Sequence, residues 1–457
     1  MMKLQFSINS DRGLIPLNLY PSQDSEAQVF LRGTPGMVQF ADTGSAGPIR
    51  GMFAKDSLLH VASGNQLYKV TESGTASLIG SLGSTTGPVW MTDNGFHLVV
   101  VDPPAMYLYD YATGLTAPVG DTDFPGASCC SFLDGYIVFA VPDSQQFYIT
   151  AGYDAKSIDA LDFASAEANP DQIVTLLVDH RELVLFGQRT TEFWYNSGNS
   201  DFPLERVQGS VMEIGCGAKA SPASADNSVL WLDNRGLIVR ADGYVPKVIS
   251  TRRIEQEIAS LPRSDDAVGF SYTWAGRTFY QITFPSGNKT YCYDISTDTW
   301  HQRGYTENIH ASLASCYAHF QGRHIVGSRV DGRIFELSPD VYTDDGQVIT
   351  RQFEASLIDG QDRHVSIAKL FLDMEVGMGN PVDPGTDPQV SMTYSNDDGK
   401  TWSSELWCSY GMIGEYQARA VFHRLGAGRK RRFRFTVTDP NPVTIWGVQA
   451  QIRGVQG

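Results

Sequence analysis

The chain has 457 residues, 42% hydrophobic and 19% charged, which is enough apolar material for a core and excludes wholesale disorder. Its 51 aromatic residues and 66 glycines and prolines favour many short strands joined by turns. With 51 acids against 35 bases, the net charge of −16 repels a phosphate backbone, so general nucleic-acid binding is excluded but a channel that DNA slides through is not.

The first ten residues, Met1 to Ser10, hold no apolar stretch long enough for a signal peptide, and no run of 18 apolar residues follows anywhere. The expectation is a protein folded in a cytoplasm, with no direct membrane insertion. The cysteines at 129, 130, 216, 292, 316 and 408 form no CxxC pair and read as buried thiols. Residues 1–53 are assigned to an N-terminal arm with the first strands. A repeat then begins. Residues 54–80 read as strand, tight turn at Gly64-Asn65, strand, and the same shape recurs at 92–120, 134–150, 179–198, 225–250, 274–304 and 320–339. Successive starts lie 38, 42, 45, 46, 49 and 46 residues apart, the spacing of four-stranded propeller blades. Polar turns such as Leu133-Asp134-Gly135, Asp179-His180-Arg181 and Gln321-Gly322-Arg323 open the modules, each followed by an apolar strand. Tyr291 to Trp300 looks like the strand, turn and tryptophan of a kelch-type blade. The pattern predicts an all-β fold with a β-propeller of six or seven blades over 54–345. An irregular array of sandwich sheets with the same spacing is the alternative. The one helix candidate is 251–261, with Thr251 as N-cap, Ile254 and Ile258 one turn apart, and Pro262 as stop.

Thr343-Asp344-Asp345-Gly346 reads as a linker. Six longer strands follow, at 351–358, 367–376, 389–395, 418–425, 432–438 and 443–453, with a Gly/Pro/Asp-rich loop at 377–388. They predict a C-terminal β-sandwich or jelly-roll-like domain over 346–457. Within it, Ser395-Asn396-Asp397-Asp398-Gly399-Lys400-Thr401-Trp402 matches an Asp-box, whose pattern residues are Ser395, Asp397, Gly399, Thr401 and Trp402. The carboxylate accepts backbone N–H groups, glycine supplies a positive φ, and tryptophan packs beneath. The motif is frequent in sialidases, where it is a folding device away from the active site, so a structural role is expected here. Seven bases follow without an acid among them: Arg419, Arg424, Arg429, Lys430, Arg431, Arg432 and Arg434. They fit either a solvated hairpin or an electrostatic contact to DNA phosphates or an acidic subunit, for which a second copy of this chain is suited. Arg429, Lys430, Arg431, Arg432 and Arg434 are the expected subunit-interface residues. Alternation puts Arg432 and Arg434 on one strand face and Phe433 and Phe435 on the other.

No catalytic constellation emerges. Gly399-Lys400-Thr401 resembles the end of a phosphate-binding loop, but Tyr394 stands where that loop needs glycine. GxSxG, HExxH and calcium-loop patterns are absent. His319 and His324 are expected on opposite faces of one strand, and Asp265-Asp266 and Asp344-Asp345 as solvated turn residues. The expectation is therefore no enzyme, no cofactor and no metal.

Two stretches carry a resemblance. One runs Leu183-Val184-Leu185-Phe186-Gly187-Gln188-Arg189-Thr190-Thr191-Glu192-Phe193-Trp194-Tyr195, through Phe202-Pro203-Leu204-Glu205-Arg206, to Ile214-Gly215-Cys216-Gly217-Ala218. The other runs from the Asp-box through Gly414-Glu415-Tyr416 to Asp439-Pro440-Asn441-Pro442-Val443. With the opening Gly13-Leu14-Ile15-Pro16-Leu17-Asn18 and Arg32-Gly33-Thr34-Pro35-Gly36, they resemble the tail hub, or nozzle, proteins of short-tailed bacteriophages, also called packaged-DNA stabilisation proteins. The resemblance implies a structural virion protein forming a homohexameric ring below the portal and its adaptor. The ring would extend the DNA channel without binding it specifically, retain packaged DNA until genome ejection, and carry a tail needle or plug and tailspike or fibre proteins. It implies a virion-tail location after assembly in the bacterial cytoplasm. A carbohydrate-binding or glycan-hydrolysing propeller tail protein is the alternative, motivated by the Asp-box.

Overall fold

The computed structural model describes residues 2–4, 6, 14–23, 28–166, 171–306, 310–359 and 364–456; Gly13 of the opening motif lies outside them. The described residues form strands joined by turns and loops, the longest of them including 207–222 and 375–388, and one helix, Arg252–Ala259. That helix starts where expected: the Thr251 hydroxyl accepts the Ile254 N–H at 3.5 Å, and Ile254 and Ile258 are its buried residues. No helix among the described residues is long and apolar enough to cross a membrane. The chain forms two compact units.

The larger unit spans residues 39–288 and 313–337. Five four-stranded antiparallel sheets follow one another in sequence, beginning with Ile49–Lys55, Trp90–Asp93, Cys129–Leu133, Ile173–Asp179 and Ala223–Ser224. The hairpin Val268–Trp274/Arg277–Phe284 holds the sixth position. The seventh sheet comprises Ala314–Phe320, Arg323–Ser328 and Arg333–Ser338, with Gly36–Asp42 from the beginning of the chain as its fourth strand. The predicted turns explain the hairpins. Asp134 and Gly135 have φ of +49° and +100°, and Gln321 and Gly322 have +50° and +76°. Two positive φ values in a two-residue loop give the turn twist that matches paired strands.

Each sheet buries its faces against its neighbours, because a lone four-stranded sheet has two apolar faces to cover. Leu98 and Val100 of the second sheet pack with Ala62 and Leu67 of the first. Ile137 and Phe139 of the third meet Val99 and Val101 of the second, and Leu183 and Leu185 of the fourth meet Val138 and Phe147 of the third. Phe186 and Trp231 join the fourth and fifth, 5.3 Å between ring centroids. The Tyr280 hydroxyl donates to the Ser221 carbonyl at 2.8 Å across the fifth and sixth. Phe270 stacks on Tyr317 across the sixth and seventh. Ile325 and Ile334 of the seventh share a core with Ile49, Leu59 and Val61 of the first, which closes the ring at seven sheets. The unit is a β-propeller.

The second unit gathers residues 1–38, 289–312 and 338–457. One of its sheets orders Leu19–Gln23, Val29–Gly33, Thr444–Gln456, His364–Met374 and Ala420–His423. The other orders Arg351–Asp359, Lys430–Val437, Gln389–Ser395 and Leu406–Ser409. Between them lies a core that includes Leu19, Leu31, Phe353, Leu370, Met392, Phe422, Phe433, Phe435 and Val448. This is the expected β-sandwich, with a different membership. The segment read as an arm over 1–53 is divided: Leu19–Gln23 and Val29–Gly33 are sandwich strands, while Ile49–Lys55 opens the propeller. The kelch-like hairpin Lys289–Asp294/Thr299–Gln302 supplies the third and fourth strands of the sixth sheet, as a blade reading expects, and is also stitched to the N-terminal segment by Gln302 N–H to Pro16 O at 2.8 Å and Asn18 Nδ2 to Gly304 O at 3.0 Å. The expected linker is a tight hairpin, Thr343–Asp344 against Gln347–Val348, in which Asp344 is buried rather than solvated.

Candidate functional site

The Asp-box closes the turn between Gln389–Ser395 and Leu406–Ser409. Asp397 Oδ1 accepts the Lys400 and Thr401 N–H groups at 3.0 and 2.9 Å and the Ser395 hydroxyl at 2.7 Å, while Oδ2 accepts the Thr401 hydroxyl at 2.6 Å. Ser395 Oγ in turn accepts the Gly399 N–H at 2.8 Å. Gly399 sits at φ +90°, a conformation that favours glycine. The Thr401 hydroxyl, then the Thr401 N–H and the Ser395 hydroxyl, hold the Asp397 carboxyl well below the usual carboxylate range. Both of its oxygens are occupied by the turn itself.

The basic strand lies directly against this turn. Lys430–Val437 pairs with Gln389–Ser395 on one side and Arg351–Asp359 on the other. Phe433, Phe435 and Val437 enter the core, as alternation predicts. The arginines of this strand do not form a free basic surface. Arg434 donates to Glu354 Oε1 from Nε and Nη2 at 3.1 and 2.8 Å, and its guanidinium lies 4.0 Å over the Trp402 ring of the Asp-box. Arg432 reaches Asp398 at 2.6 Å and Glu354 at 3.6 Å. Arg431 is fully buried, bonded to Asn396 Oδ1 at 2.9 Å and lying over the Tyr394 ring at 4.6 Å. Burial lowers its pKa.

Three of the five bases expected at a subunit interface are therefore engaged inside their own domain; Arg429 and Lys430 are exposed. The balancing acid, Glu354, is 80 positions away in sequence and arrives through strand pairing opposite Arg434, which a local charge count cannot see. The Asp-box and the basic run, two separate motifs in the sequence, are one network in the fold.

The histidine expectation is corrected. His319 and His324 lie opposite each other on adjacent strands of one hairpin, rings 5.5 Å apart, because Gln321-Gly322 turns the chain between them. Desolvation and His319 lower the His324 pKa. No third His, Cys, Asp or Glu joins them, and no metal-holding group of three such residues occurs among the described residues.

At the propeller axis, first strands converge on a cavity of about 300 Å³ touched by Met52, Met91, Ser131, Leu177, Phe270 and Tyr317. An adjoining cavity of about 680 Å³ carries Arg50, Lys219, Arg263, Asp265, Asp266 and Arg329, charges of both signs. Arg50 is committed to structure. It pairs with buried Asp102 at 2.7 Å and donates to the carbonyls of Gly64, Ser84, Thr86 and Gly87, tying the first sheet to the second.

A family model described as bacteriophage P22 Gp10, beta-propeller, matches residues 12–342, and one described as bacteriophage P22 Gp10, beta-sandwich, matches residues 350–453. No curated protein sequence matches significantly. Among solved structures, the chain is similar to the WD40 propeller domain of Doa1, at 14% identity over 66% of this chain and 98% of that one, with a TM-score of 0.44. It is similar to YCF48 from Cyanidioschyzon merolae at 11% identity, over 67% and 99% of the two chains, with a TM-score of 0.44. BamB from Moraxella catarrhalis is 11% identical over 70% and 93%, with a TM-score of 0.42.

Proposed function

Because the chain belongs to the bacteriophage P22 Gp10 family, whose members are phage tail hub proteins that stabilise packaged DNA, we propose that it is the nozzle segment of a short phage tail. Copies form a homohexameric ring below the portal and its adaptor. The ring extends the DNA channel, retains the genome until ejection, and carries a needle or plug and side appendages. The observation that carries this reading is the pair of family matches, propeller and sandwich in the same order, over nearly the whole chain. The charge supports it: a net −16 suits a conduit that DNA must traverse without sticking.

The test is imaging of the purified protein in negative stain, where rings are expected. It pairs with a nuclease assay on particles assembled without the chain, which should leave their DNA accessible. Monomers in every condition, or particles that hold their DNA equally well, would defeat the reading. The glycan-hydrolase alternative rests on the Asp-box, whose Asp397 oxygens are already taken by Ser395, Lys400 and Thr401. Purified protein is expected to release no reducing sugar from bacterial surface polysaccharide.

A further inference from the structure

The sandwich carries a second group of bases, away from the Asp-box network. A cavity of about 780 Å³ is lined by Ser366, Ile367, Lys369, His423, Arg424 and Arg453, with no acid among the described residues of its wall. Unlike Arg432 and Arg434, the bases here form no ion pair among the described residues. Three chain segments bring them together. Lys369 pairs with His423 on one side and Gln451 on the other, and Arg453 follows two positions along the same strand.

The backbone is shaped for this. The strand His364–Met374 breaks register against Thr444–Gln456 at Ser366/Ile367 and again at Ile367/Lys369. Bulges re-aim side chains and recur beside binding sites. Arg424 is held at φ +57°, uncommon for a residue with a side chain, by its N–H to Ala368 O at 3.1 Å and by Ile367 N–H to Gly426 O at 3.0 Å. Its guanidinium is thus carried on a fixed corner. Ile452, 37% exposed, adds apolar surface on the neighbouring strand.

The charge is distributed unevenly along the chain. Residues 39–288 and 313–337, the propeller unit, hold 18 bases and 30 acids, a net of −12. The remaining segments hold 17 bases and 21 acids, a net of −4. We propose that the basic cavity is the socket in which one copy of this chain receives an acidic segment of a second copy, an inference that rests on the assembly reading above. The concave shape and partly apolar floor suit a protruding carboxylate-bearing loop better than the backbone of a duplex. A socket on one surface that takes a segment from a different surface is a heterologous contact, the kind that closes rings when the rotation per copy allows.

The experiment compares the full-length protein with a Lys369→Gln, Arg424→Asn, Arg453→Gln variant by sedimentation velocity at low and high salt. Asparagine tolerates the positive φ at 424. Wild type is expected to assemble, more tightly at low salt. The variant, with an unchanged melting temperature, should associate at least about tenfold more weakly. A short oligo-glutamate peptide should compete with wild-type assembly, which tests the socket without any substitution. A wild type that stays monomeric defeats the assembly reading and the socket together. A wild type that assembles, with the variant assembling equally well and the peptide without effect, overturns the socket alone. Loss of duplex-oligonucleotide binding in a variant that assembles normally would reassign the cavity to phosphates and also overturn it.

Discussion

Glu354 is the residue on which the sandwich's charged network turns. It is 4% exposed and accepts from Arg434, pairs with Arg432 and also takes the Leu14 N–H at 3.0 Å. Removing one partner of a buried pair leaves an uncompensated charge, so Glu354→Gln should cost about 3 kcal/mol in a denaturant titration. Asp397→Ala should lower the melting temperature of the same domain without removing any chemistry. Because the Asp397 pKa is depressed in the fold, its stabilisation is complete above the ordinary carboxylate range and is lost as pH falls. Two buried groups work in opposite senses. Burial pushes His301 down to about 3, so the stability tied to it is complete above 6.5 and declines as pH falls from there. Burial pushes Asp344 up to about 6 against the pull of Arg303 and Arg351, so its contribution is complete below 3.8 and is lost as pH rises through 6. Asp344→Asn should therefore make stability rise more steeply with pH between these limits, measured by denaturation at a series of pH values. A shallower rise would contradict the assignment.

At the scale of elements, the propeller was legible because its signals are local. A two-residue turn such as Asp134-Gly135, flanked by apolar runs, declares itself within ten residues and fixes register, and seven such units declare a period. The histidines show the limit of strand-by-strand reading, since placing His319 and His324 on one strand ignored the turn between them. Packing between blades gives a further test. A methyl at Gly327 would lie 2.5 Å from Ile49 Cγ2 and 2.9 Å from Cys316 Sγ, at the seam between the last sheet and the first. A methyl at Gly276 meets nothing within 4 Å, and only its φ of +75° resists substitution. Gly327→Ala should thus destabilise the propeller by about 2–3 kcal/mol and Gly276→Ala by about 1. Equal losses would mean that the seam is looser than its distances indicate.

At the scale of the whole molecule, the sandwich was visible as a run of long C-terminal strands, but its missing third was not. Leu4, Leu19 and Leu31 are buried in a core whose other buried members lie beyond 350, and nothing local in residues 19–33 names a partner more than 400 positions away. The arginine network was hidden for the same reason, since its acid lies on a different strand. A fragment of residues 346–457 should accordingly fail to fold alone, remaining aggregation-prone with little cooperative unfolding in calorimetry. Supplying residues 1–38 in trans should recover a cooperative transition. A fragment that folds unaided would show that the N-terminal strands are an accessory.

Those same strands impose an order on synthesis. Leu19–Gln23 and Val29–Gly33 leave the ribosome more than 400 residues before Thr444–Gln456, beside which Val29–Gly33 must lie. At about 5–20 residues per second, the early strands wait tens of seconds with unpaired edges, while blades complete themselves one after another downstream. Completion of the sandwich is therefore held until Thr444–Gln456 emerges, and a chain cut short of that strand cannot complete the domain that carries the basic cavity.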